Sequence, residues 1–469
     1  MQTFTPYKAL TRIHAIFAFT FIAVLSLCAC SNSEGVDYPG WENASIDNGN
    51  SNEDDNDVPS DGDYPQTQDA SSSSKVIDYL PLDDTEYPYA GIPRIVIETE
   101  NNREIKDRET EIPAKLQIWG EKAPESEVMD LTIRGRGNTS WTEMPKKSYK
   151  IEFTNKQSML GMPKDRDWAL IANYADKTLM MNYLMYRFAA ELGSYYAPRC
   201  EFIELFINKE YLGVYLLTET IKIGKNRINI PNNNNSFIVE FDFRAFEKEQ
   251  TFYSNILTGS SEKKIYQVHY PKNASNSTIS NIEEFIFSYE MFLKHIDPLQ
   301  RNHIEQWIDI EEYIKHYWIQ EFSKNYDAVF KASVYFSWQN GNVIKMGPIW
   351  DFDLAFGNHD VTSANQPQNW YIKSAYWNAF LFKDSTMNNT RISFWNENTK
   401  KFLGIINKID STKNLLEKSA KNNFKKWDIL PSTQGWYLQH SYNSYSDACA
   451  NLKKWIKQRI EWINSEITN

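Results

Sequence analysis

The spacing of apolar residues changes along this chain, and that change limits what it can fold into. From Pro93 the segments PRIVIETE, PAKLQIWG, VMDLTIRGRG and KKSYKIEF alternate or run apolar between polar breaks, which predicts strands of an antiparallel sheet. After Asp176, LMMNYLMYRFAAEL repeats its apolar residues at three and four, which predicts one helix stopped by Gly193. Strands resume with CEFIELFI, YLGVYLLTETI and SFIVEFDF. Beyond about Asn281 the spacing is helical, through IEEFIFSYEMFLKHI and IDIEEYIKHYWIQEFSKNYD, with Asp309 placed to cap the second, and on to CANLKKWIKQRIEWINSEI. The expected fold is α+β and two-lobed, with a sheet-rich N-lobe at about 93–245 and a helix-rich C-lobe at about 280–469.

The N-terminus is a different kind of segment. Lys8 and Arg12 precede the apolar run IHAIFAFTFIAVLSL and then Cys28-Ala29-Cys30, which reads as a lipoprotein signal peptide over 1–30 with a lipid on Cys30. The run is short against the roughly 20 residues that span a bilayer, although a retained helical anchor stays open. The expected location is the bacterial cell envelope, lipid-anchored to a membrane, with the outer-membrane surface as one option. Residues 31–85 hold fourteen acidic residues against one lysine and cannot bury a core, so they are expected to be a disordered tether to a domain at 86–469. The formal net charge of −11 combines +2 from the signal and −13 from this stretch, leaving 86–469 balanced. No basic run points to nucleic acid. Cys200 and Cys449 are either a disulfide or two buried thiols.

Three aspartates stand out in Lys324–Asn358. Asp327 follows a helical segment, and Asp351 and Asp353 follow the second strand of a predicted β-hairpin. Carboxylates brought together from the two ends of a hairpin can hold a hard divalent cation and leave one free to accept a proton, which is what phosphoryl transfer needs. In IWDFD the two acids are two residues apart, so a strand there would put both on one face. Along KKSYKIEF, Lys147 shares a face with Tyr149, Ile151 and Phe153, and Lys150 lies on the other. A lysine on an apolar inner face must find an anion, so Lys147 ranks ahead of Lys150 as a phosphate contact. In RGRGN, two glycines allow close backbone approach and Arg134 and Arg136 supply charge, as does a plain tight turn with solvated arginines. Asp176 is most simply a helix cap. Glu219 stands at a connector, either as a hinge or as an ion-pair partner of Lys222 or Arg227.

Five motifs, LTIRGRGNTSW, PKKSYKIEF, LGMPKDRDWALIANYADKTLMMN, IELFINKEYLGVYLLTETI and GPIWDFDLAFGN, together resemble the spore coat protein H (CotH) kinase family. The resemblance implies an atypical protein-kinase-like fold, ATP with Mg or Mn, and phosphate transfer to a protein serine or threonine. It implies Asp327 as the catalytic base, Asp351 and Asp353 as metal ligands, and Arg134, Asn138, Lys147, Lys150 and Glu219 around the nucleotide. Many members of that family carry an asparagine shortly after the catalytic aspartate. Here the chain reads Lys331-Ala332-Ser333, which leaves two readings: Ser333 or Asp353 stands in as a ligand, or Lys331 neutralises part of the site and reduces the need for a second metal.

Two other classes stay open. One is an inactive surface lipoprotein of the same fold, acting as a binding or structural module, with Trp370, Tyr371, Tyr376 and Trp377 as a stacking platform or as core. The other is a metal-dependent hydrolase, for which seven histidines without HExxH spacing leave only His359 near the aspartates.

Overall fold

Seven of the alternating segments close into a barrel. The computed structural model describes residues 79–246, 248–259 and 262–468, which belong to one compact unit. The signal peptide with Cys30, and the tether up to residue 78, lie outside the described residues. The barrel strands are β1 (Arg94–Thr99), β2 (Ile112–Trp119), β3 (Met129–Arg136), β4 (Ser148–Gln157), β5 (Asp165–Ile171), β6 (Cys200–Ile207) and β7 (Glu210–Glu219). Their order is β1-β2-β3-β4-β5-β7-β6, and a parallel β1–β6 pairing from Arg94↔Glu204 to Ile97↔Ile207 closes the ring. The expected antiparallel sheet therefore has one parallel seam and no free edge. Ile95, Ile97, Leu116, Ile133, Ile151 and Phe153 fill the interior with no measurable exposure. Each such side chain contributes roughly 1.5–3 kcal/mol through burial.

A second, five-stranded sheet is built from β8 (Ser236–Phe241), β9 (Thr251–Ser254), β10 (Lys264–Tyr270), β11 (Val334–Gln339) and β12 (Lys345–Met346), in the order β12-β11-β8-β10-β9. SFIVEFDF is the strand β8, but it pairs with β11 of the hairpin, from Val334↔Phe241 to Gln339↔Ser236. The expected hairpin is present as β11–β12.

The helices are α1 (Thr139–Thr142), α2 (Met181–Glu191), α3 (Asn276–Lys294), α4 (Ile310–Ser323), α5 (Thr362–Asn365), α6 (Tyr376–Leu381), α7 (Ser385–Lys426) and α8 (Tyr445–Glu466). The Asp309 carboxylate accepts from the Glu312 amide at 3.1 Å and caps α4. Asp176 accepts from the Met181 amide at 2.8 Å where α2 begins, and Gly193, at φ +75°, ends that helix. Aromatic rings lock α4 to α7, with Trp318 4.8 Å from Trp395 and Phe322 4.9 Å from Phe402. A buried Arg459–Glu321 pair at 2.6 Å joins α8 to α4. No helix among the described residues is long and apolar enough to cross a membrane.

Candidate active site

The outer face of the barrel forms one wall of a cavity of about 820 Å³. On β3 and β4 the interior is taken by Leu131, Ile133, Tyr149, Ile151 and Phe153, so Arg134, Arg136, Ser148 and Lys150 point outward into the cavity. This corrects the ranking of the lysines. In a closed barrel the apolar face looks into a space already filled by side chains, and a ligand can only meet the other face. Lys147 does not line the cavity; its ammonium donates to the Trp141 carbonyl and lies 5.7 Å from that ring. Lys150 does line it, but is held by Asp167 at 2.8 Å and Glu152 at 3.1 Å. Arg134 is drawn toward Glu111 at 3.6 Å, and Asn138 lines the cavity while its side-chain oxygen accepts from Arg108 at 2.9 Å. The Arg136 guanidinium has no ion pair or hydrogen bond among the described residues and lies 5.0 Å over the Trp350 ring. It is the cavity cation best placed to take an anion.

Glu219 lies away from the cavity. It is fully buried, pairs with Arg227 and with Arg199 at 2.8 Å, accepts from the Tyr196 hydroxyl at 3.1 Å, and does not line the cavity. Of the two readings of this position, the ion-pair partner of Arg227 is the one seen.

The opposite wall carries the aspartates. Asp327, Asp351 and Asp353 all line the same cavity. Asp327 follows α4 in a short turn, where burial and then the charge of Asp351 push its carboxyl up to about 6. Lys331 sits 3.7 Å from it and donates to the Tyr326 hydroxyl at 2.8 Å. Burial, followed by the Asp351 charge, raises Asp353 well above the usual carboxylate range. IWDFD is not a strand: Asp351 is left-handed at φ +66°, and the two acids converge because a loop turns them, not because of a pleat. Ser333 donates to Asp351 at 3.2 Å.

Three asparagines that sequence reasoning did not select hold this loop by its main chain. Asn182 accepts from the Phe352 amide at 2.7 Å, Asn325 donates to the Asp351 carbonyl at 3.0 Å, and Asn358 donates to the Asp353 carbonyl at 2.7 Å. The available signal was polarity out of place, since Asn182 interrupts the apolar run MMNYLMYRF and a buried amide must be partnered. His269 also lines the cavity, 2.6 Å from Glu240.

The remaining candidates separate cleanly. Trp377 is fully buried, and both its ring nitrogen and the Tyr376 hydroxyl donate to Glu290, so these two are core and not a stacking platform. Trp370 packs on Trp462 with centroids 5.0 Å apart, and the Tyr371 hydroxyl donates to the Tyr326 carbonyl at 3.1 Å. His359 lies stacked on Tyr326 at 3.5 Å, and burial lowers its affinity for a proton. Cys200 and Cys449 are separate buried thiols.

No group of three or more His, Cys, Asp or Glu side chains among the described residues forms a ready-made metal cage. The donor set nonetheless fits a hard cation. Asp351 and Asp353 are oxygen donors turned toward each other without a lysine or arginine paired to either, and a divalent ion in such sites takes its other ligands from substrate phosphates.

The fold and cavity define a mixed α+β protein in which a cation-bearing barrel wall faces a carboxylate wall. A family model described as CotH kinase protein matches residues 133–463, most of the chain, and the protein belongs to that family. A comparison with curated proteins found no match.

Proposed function

We propose that this chain is a CotH-type kinase that uses ATP and Mg or Mn to phosphorylate a serine or threonine hydroxyl of a protein. The observation that carries the reading is the opposition of Asp327, Asp351 and Asp353 to Arg136 and Lys150 across one cavity. In this reading the barrel and the helix-rich part act as the two lobes of a kinase-like fold. Asp327 accepts the hydroxyl proton as the acceptor oxygen bonds to the terminal phosphorus and the bond to ADP breaks. A carboxyl poised near 6 is ionised at neutral pH yet more basic than an ordinary aspartate. Arg136 orients the phosphates, helped by the backbone turn at Gly137 and Asn138. Asp351 and Asp353 would hold the divalent cation, which when bound supplies charge neutralisation for the transferred group.

The apolar run before Cys28-Ala29-Cys30 supports a lipid anchor on Cys30 in the cell envelope, and the family resemblance supports a protein substrate as partner. The test is phosphate incorporation from radiolabelled ATP by the full chain, with Mg or Mn against EDTA. Metal-dependent incorporation that Asp327→Asn abolishes supports the assignment. A chain with no nucleotide affinity, read by calorimetry with metal present, favours the binding-module alternative, to which the engagement of Lys150 by Asp167 and Glu152 lends support.

A further inference from the structure

Helix α2 carries one amide among its buried apolar residues, and both ends of it are used. Asn182 is 2% exposed. Its oxygen accepts from the Phe352 amide at 2.7 Å, and its nitrogen donates to the Asn173 side chain at 3.1 Å. Asn173, two residues past the end of β5, in turn donates to the Leu179 carbonyl at 3.1 Å. A relay thus runs from the barrel through α2 to the peptide between Asp351 and Asp353.

That peptide needs holding. A non-glycine residue at φ +66°, as Asp351 is, persists only where its surroundings impose it. The Phe352 ring is fully buried, so ring and amide together leave the peptide one orientation. Asn325 and Asn358 fix the flanking carbonyls from nearby parts of the chain, whereas Asn182 reaches across from the barrel side.

We propose that Asn182, oriented by Asn173, is a positioning residue that holds the Phe352 peptide so that the Asp351 and Asp353 carboxylates stay turned into the cavity. This rests on the reading of those two acids as cation ligands. A side chain that only fills space on α2 would affect stability; one that sets the loop affects what the loop binds.

The test uses the full chain without nucleotide, titrated with MnCl2, alongside hydrogen exchange of the peptide containing Phe352. Asn182→Leu, which keeps the volume and removes the acceptor, should weaken Mn2+ binding roughly tenfold and speed exchange at Phe352. Asn173→Ala should shift both readouts the same way and serves if Asn182→Leu fails to fold. Folded variants that bind Mn2+ like the wild type, or keep Phe352 protected, overturn the proposal. A wild-type chain that binds no Mn2+ refutes the cation reading itself; exchange at Phe352 then still decides whether Asn182 holds the segment.

Discussion

Asn325 joins Asp327 to Asp351: its side-chain oxygen accepts from the Asp327 amide at 3.4 Å and its nitrogen donates to the Asp351 carbonyl at 3.0 Å. One amide thus spans the two ends of the hairpin, and the distance between the proposed base and the proposed cation ligand is set by a side chain that touches neither carboxylate. The hairpin supplies the separation in sequence, and Asn325 removes it in space.

Asp327 should behave as the base. Asp327→Asn is expected to lower transfer by about 10²–10⁴-fold while leaving the thermal shift produced by ATP with MnCl2 in place. Because burial raises this carboxyl, it is protonated and inactive below its folded value and ionised above it, so kcat/KM should climb as the pH rises through about 6. A flat profile from pH 5 to 8 with unchanged Asp327→Asn activity would refute the role.

Arg136 and Lys147 should separate in nucleotide binding. Arg136→Ala is expected to raise the KM for ATP about tenfold, equivalent to about 1.4 kcal/mol, because it removes the cavity guanidinium that no carboxylate engages. Lys147→Ala should change it less than about twofold, since its ammonium is turned to Trp141. Steady-state kinetics on both variants decide between the barrel's outer and inner faces.

Glu204 should make stability fall with pH. Buried in β6 with one oxygen bonded by Tyr211 and Asn422, its carboxyl is pushed up to about 7 by burial. The folded value lies above the unfolded one of 4.5. The stability of the protonated form is therefore fully present below about pH 4.5 and is lost as the pH rises through about 7. Unfolding free energies from urea titration for Glu204→Gln should match the wild type near pH 5 and exceed it at pH 8, by at most about 3 kcal/mol.

Arg459 should be structurally indispensable. Its guanidinium reaches Glu321 and the carbonyls of Pro367 and Asn369, all from α8 into the core. Arg459→Ala leaves the Glu321 charge buried and unpaired, at a cost of about 3–5 kcal/mol. Denaturant unfolding checks this, and a loss under about 1 kcal/mol would show that water or a local shift satisfies Glu321.

Much of the secondary structure was legible because strand and helix periods depend on neighbours in sequence. The segments from PRIVIETE to YLGVYLLTETI became strands, Asp309 became a cap, and Gly193 a stop. The three aspartates were legible as chemistry, because acids beside tryptophan in an apolar stretch have few other uses. What was hidden was partnership. The parallel seam joins Arg94 to Glu204, and β8 meets a strand that comes nearly a hundred residues later. No local pattern encodes such pairings.

Sequence alone determined the element types, the family motifs and the identity of the acids. Tertiary structure decided which side of β4 meets a ligand, because closing a barrel turns an apolar face into a packed interior and leaves the cavity to Arg136 and Lys150. It also decided how Asp351 and Asp353 come together, because the loop that carries them is held in part by Asn182, 170 residues away in the chain, and periodicity reports only on residues close by.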